Sequence, residues 1–133
     1  MMIHATNYEA KVWGETALVL QQPLFSVHHL RIRPHAWCSI HRHEYRINAF
    51  HVISGMLEVT LWQSTAGLSE MSFPCETVRL LAGEGMRVPP RYWHQFATKD
   101  QPAEVLEIYY PVTPTDADIE RRTEGGRSQP STR

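Results

Sequence analysis

Three histidines and the residues around them carry the chemistry this sequence could perform. In Ser39-Ile40-His41-Arg42-His43-Glu44-Tyr45-Arg46-Ile47-Asn48 one residue separates the first two, and His94 follows Pro89-Pro90-Arg91-Tyr92-Trp93 far downstream. On an extended segment alternate side chains share a face, so His41 and His43 project together from Cα atoms about 6.5–7 Å apart. Two imidazoles so placed can converge on one ion at about 2.0–2.2 Å each. His94, arriving from another strand, completes a facial set of three nitrogens and leaves positions open for water or a ligand.

Bringing together two blocks so far apart in the chain requires strands, and the apolar pattern supplies them. Ala17 to Gln21 reads as a strand, broken by Gln22-Pro23, and Phe25 to Arg33 as a longer one in which His28 shares a face with Leu30 and Ile32. Pro34-His35 turns the chain into Trp37 to His43. Ile47 to Ser54 alternates cleanly, with Asn48, Phe50 and Val52 on one face and Ala49, His51 and Ile53 on the other. Gly55 makes a hairpin turn into Met56 to Trp62. Val78 to Leu81, Met86 to Val88, Trp93 to Thr98 and Val105 to Tyr110 follow, with Pro89-Pro90 marking a loop because proline cannot donate to a ladder. Many short strands with turns between them predict an all-β sandwich or barrel, a closed form of which removes exposed edges. The pattern changes after Pro111, where Thr115-Asp116-Ala117-Asp118 reads as a capping box opening a short C-terminal helix to about Arg122. Thr123 to Arg133, rich in Gly, Ser, Pro and Arg, reads as a disordered tail.

With 133 residues the chain is long enough for one ordinary core, and residues 1–122 are expected to form a single domain. A net charge of -1 argues against a phosphate backbone as the main partner, so no nucleic acid is expected. No apolar run is long enough to span a bilayer, and two cysteines, Cys38 and Cys75, fit a reducing, cytoplasmic setting. A small-molecule ligand is the expected partner. The segment Gln63 to Thr77, polar but carrying Leu68, Met71, Phe73 and Cys75, reads as an arm that packs either on a second subunit or on its own barrel.

The two histidine blocks resemble the two-part signature of the cupins: His41, His43, Asn48 and Gly55 fit the first part, and Pro89, Pro90 and His94 the second. The resemblance implies a double-stranded β-helix, or jelly-roll barrel, with a divalent metal held by His41, His43, Asn48 and His94; zinc, manganese, iron and nickel all suit the fold. Asn48 stands where the family usually has Glu, and an amide oxygen supplies no charge, so the ion should be held more weakly. Single-domain cupins habitually pair, which supports a homodimer.

The resemblance narrows through Trp13-Gly14, Arg46, Val52-Ile53-Ser54-Gly55, Val105-Leu106-Glu107-Ile108 and Asp118-Ile119 with Arg121, which together look like the cupin domain of type II phosphomannose isomerases over Lys11 to about Arg121. That likeness implies metal-dependent interconversion of aldose and ketose phosphates, with Glu107 as the base. His28, Ser39, Arg46, Arg91 and Arg121 are the residues expected to hold an anionic or carbohydrate ligand, since guanidinium groups grip phosphate and carboxylate oxygens bidentately. Two readings stand beside it: a three-histidine non-haem iron dioxygenase, and a non-catalytic cupin that binds a sugar or other small ligand.

Overall fold

The computed structural model of the protein describes residues 6–62, 75–110 and 119–128. In chain order the strands are β1 (Glu9–Lys11), β2 (Gly14–Gln21), β3 (Ser26–Ile32), β4 (Ala36–Trp37), β5 (His41–Arg42), β6 (Ile47–Ser54), β7 (Met56–Trp62), β8 (Cys75–Leu81), β9 (Gly85–Val88), β10 (Trp93–Ala97), β11 (Ala103–Tyr110), β12 (Glu120–Arg121) and β13 (Gly126–Arg127). One sheet runs β1-β2-β3-β11-β6-β9 and the other β12-β5-β10-β4-β13, with β7 joining β10 to β8. Every pairing is antiparallel. The architecture is the all-β, jelly-roll arrangement that the short alternating strands predict.

The core forms where the apolar faces of the two sheets meet. In β6 the buried positions are Asn48, Phe50 and Val52, while His51 and Ile53 are exposed, so the period-two pattern of the sequence is the burial pattern of the strand. Leu30 and Ile32 of β3, Val105 of β11, Leu57 and Val59 of β7, Leu80 of β8 and Phe96 of β10 close the core. At the β6–β7 turn Gly55 has φ +80, and a Cβ there would collide with the Pro102 carbonyl, so the hairpin depends on glycine.

The short strand β1 pairs with β2, and two sequence expectations change. The C-terminal helix does not extend to Arg122: residues 115–118 lie outside the described residues, and Glu120–Arg121 pairs with Arg42 and His41 as strand β12. A capping box is a local signal, whereas the open edge of β5 offers backbone partners that only the folded sheet provides. Nor does an unstructured tail begin at Thr123, because Gly126–Arg127 pairs with Trp37 and Ala36. Of the expected arm, Cys75 to Thr77 belongs to β8, and residues 63–74 lie outside the described residues.

Candidate metal centre and its cleft

β5 and β10 bring the two histidine blocks together. His94 and His41 are direct cross-strand partners, so their side chains leave the sheet on the same face. His43, two residues beyond His41, joins them. The Arg91 backbone N–H donates to the His43 carbonyl at 2.7 Å, which ties the Pro89-Pro90 loop to the end of the first block. The imidazole centroids lie 4.3 Å (His41 to His94), 5.2 Å (His41 to His43) and 5.6 Å (His43 to His94) apart. Each offers one ligand atom within 4.8 Å of the other two, and among the described residues this is the one such cluster.

Electrostatics and tautomers suit an ion. His41 Nδ1 lies 2.8 Å from the Ser39 carbonyl, and His94 Nδ1 lies 3.0 Å from that of Tyr92. A carbonyl only accepts, so both Nδ1 atoms carry the proton and both Nε2 lone pairs face the cluster. Backbone support of this kind also fixes ring orientation. Burial, reinforced by the neighbouring imidazoles, holds the His41 pKa well below its ordinary value, and burial lowers that of His94 to about 4. The His41 and His94 rings are therefore neutral at pH 7, as ligation requires.

Asn48 is fully buried and stands at the cluster, but it presents its nitrogen: Nδ2 lies 3.4 Å from His94 Nε2 and donates to Glu107 Oε2 at 3.3 Å. Its Oδ1 is buried with no hydrogen-bond partner. Holding an ion through that oxygen requires the amide to turn over, and an orphaned buried acceptor is a group that such a turn would satisfy. The donor set, three convergent imidazoles with an amide oxygen that a turn of Asn48 would bring round, fits a divalent ion.

Glu107 reaches the site from β11. Burial raises its carboxyl pKa to about 7, against the pull of a hydrogen bond from Tyr109 and the charges of Arg46 and Lys11. The Tyr109 hydroxyl donates to Glu107 Oε1 at 2.6 Å. Tyr109 was missed in the sequence, although it follows Glu107 at i+2 on the same strand face and alternation alone would have placed it there. Its partner Asn48 is directly opposite across the β11–β6 ladder, a pairing no local pattern announces.

A cleft of about 1060 Å³ opens onto this centre. His28, Ser39, Arg46 and Arg121 line it together with His41, His43, Glu107 and Tyr109. His28 Nδ1 is buried without a protein partner, Arg46 lies over the Tyr109 ring at 4.6 Å, and Arg121 arrives opposite His41 on β12. Arg91 is not brought in: its side chain is exposed and its Nε donates to Glu44 Oε1 at 3.0 Å.

Residues 28–109 match the model of the cupin domain, a span that contains all three histidines, Asn48 and Glu107. The chain belongs to the cupin family. Among solved structures this cupin resembles the capsular polysaccharide assembling protein CapF from Staphylococcus aureus (TM-score 0.76, 14% identity, 90% of this chain and 34% of CapF). It also resembles the oxalate decarboxylase formate complex of Lactobacillus farciminis (TM-score 0.71, 15% identity, 87% of this chain and 33% of that one). KdgF from Halomonas sp. matches with TM-score 0.66 and 18% identity over 83% of this chain and 90% of KdgF. The chain thus spans about a third of CapF and of the decarboxylase, and at these identities the likeness is one of fold. No curated protein sequence matches it significantly.

Proposed function

We propose that this cupin is a metal-dependent enzyme that moves a proton on a small anionic, oxygen-rich ligand in an isomerase-like reaction, with a carbohydrate phosphate or acid as the substrate class. The observation that carries the reading is the Glu107 carboxyl, held by Tyr109 at one oxygen and Asn48 at the other beside three convergent imidazoles. Burial raises this carboxyl to about 7 in the metal-free protein and a divalent ion beside it would draw the value down, which leaves a carboxylate able to take a proton at neutral pH. A divalent ion on His41, His43 and His94 would supply Lewis acidity to the ligand's carbonyl and hydroxyl oxygens. Glu107 then takes the proton from the hydroxyl-bearing carbon beside the carbonyl and returns it to the carbonyl carbon, while the hydroxyl proton passes to the former carbonyl oxygen, so an aldose becomes a ketose with no net redox change. Arg46, Arg121 and the Nδ1 of His28 orient the anionic end. The sequence likeness to type II phosphomannose isomerases and the fold shared with CapF support the carbohydrate class.

Loss of carbon-bound hydrogen to D2O from mannose 6-phosphate or fructose 6-phosphate, followed by NMR with metal-loaded protein, tests the reading. Exchange is expected, and Glu107→Gln should abolish it while the metal stays bound. Undiminished exchange in that variant, or none in the wild type with any sugar phosphate or sugar acid offered, overturns it. The nitrogen presented by Asn48 leaves a bare three-histidine set and favours the iron dioxygenase as the second reading, which oxygen uptake by iron-loaded protein would reveal. The same proposal includes a homodimer, supported by an apolar groove of about 460 Å³ on the outer face of the six-stranded sheet, lined by Leu24, Phe25, Ile108 and Tyr110.

A further inference from the structure

The cleft has a second character that proton transfer does not use. Across the inner face of the six-stranded sheet, register places Phe50, Glu107, His28 and Leu18 in one row on β6, β11, β3 and β2. Neighbouring strands lie about 4.8 Å apart, so Leu18 stands two strands, about 10 Å, from Glu107. Leu18 is 44% exposed, and Val12, also on the cleft wall, is 53% exposed. Trp13 lies beside them with its ring edge-on to Phe96 at 5.1 Å, and Ile119 faces the same space from the segment leading into β12. Scattered exposed apolar residues mean nothing by themselves, but these converge, between the polar Glu9, Lys11, Thr16 and Gln21, on one concavity that is continuous with the imidazole cluster.

Resting on the metal centre of His41, His43 and His94 and on the anionic, oxygen-rich ligand proposed above, we infer that this ligand is amphipathic: its metal-chelating head carries an apolar tail that lies along Leu18, Val12, Trp13 and Ile119. A head group without such a tail would leave these four apolar side chains in water. A head group at Glu107 with a tail of about 10 Å would cover it and fill much of a cleft of about 1060 Å³. Leu18 and Val12 are then specificity residues, distant from the reacting atoms and free to vary without disturbing them.

The probes are α-hydroxy acids with tails growing from methyl (lactate) to hexyl, titrated calorimetrically into protein loaded with zinc or manganese. Affinity should tighten by about threefold per methylene added, somewhat less than full burial would give. In Leu18→Asn the dependence on tail length should flatten while lactate affinity is unchanged, and Leu18→Met should restore it. His94→Ala should abolish lactate binding along with the ion, which reports on the metal centre separately. Lactate binding that depends on His94 but gains nothing with tail length would overturn the amphipathic substrate and leave the metal centre standing. The same slope in Leu18→Asn as in the wild type would also overturn it.

Discussion

Asn48 Nδ2 stands 3.4 Å from His94 Nε2, the atom through which His94 would hold an ion. An amide in this position contributes no negative charge, so the centre keeps the ion's full double charge and favours anionic ligands. Asn48→Glu places a carboxylate there and should tighten the metal by several-fold or more, each tenfold being about 1.4 kcal/mol. The new carboxylate also faces Glu107, so without metal the variant should be less stable than the wild type. Parallel titration of both proteins with one ion decides it, and equal affinity would mean that the side chain at 48 does not reach the ion.

Removal of His94 should take the ion away. Losing a partner that only orients a ligand costs about 10–100-fold in affinity, and losing a ligand itself should cost more. His94→Ala should therefore purify without metal while keeping the far-ultraviolet circular dichroism of the barrel. Full metal occupancy in a folded variant would sink the assignment.

Tyr109→Phe removes the hydroxyl that donates to Glu107. That hydrogen bond stabilises the charged carboxylate and lowers its pKa, so its loss should raise the value. The acid-side limb of the activity–pH profile should move up by about one unit, with the rate at high pH largely retained. A uniform loss at every pH would assign Tyr109 a different task.

Stability of the metal-free protein should fall in acid. His41 and His94 have folded pKa values below their ordinary 6.5, so the unfolded chain binds more protons as pH drops. Their contribution is fully present above 6.5 and is lost as pH falls towards the folded value, about 4 for His94. Glu107 acts oppositely, because its folded pKa of about 7 exceeds the ordinary 4.5 and its contribution is lost as pH rises through that window. Urea midpoints should thus decline below pH 6.5, more steeply in Glu107→Gln and less steeply in His94→Gln. A midpoint independent of pH in the wild type would contradict the neutral, buried cluster.

Light scattering should give the mass of a dimer. Leu24, 72% exposed, and Ile108 border the outer groove, and an arginine at either position should weaken pairing without touching the cleft on the opposite face of the sheet. A monomer at working concentration contradicts the proposal.

The sequence by itself determined the parts that depend on local period. The alternation of Ile47 to Ser54 placed Asn48, Phe50 and Val52 inside, Gly55 marked the turn, and the two histidine blocks named the imidazoles that β5 and β10 bring together. Side-chain direction on a strand follows from position along the chain alone, which is why these were legible. Tertiary structure decided what depends on register between distant strands. Only the β11–β6 ladder sets Tyr109 opposite Asn48, with Glu107 bonded to both. Only the edge of β5 converts Glu120–Arg121 from an expected helix into a strand that delivers Arg121 to the cleft. Arg91, which shares its residue type with Arg121, is instead turned outward onto Glu44. Register is fixed by the burial of a whole face against residues far away in the chain, and no window of sequence contains both partners.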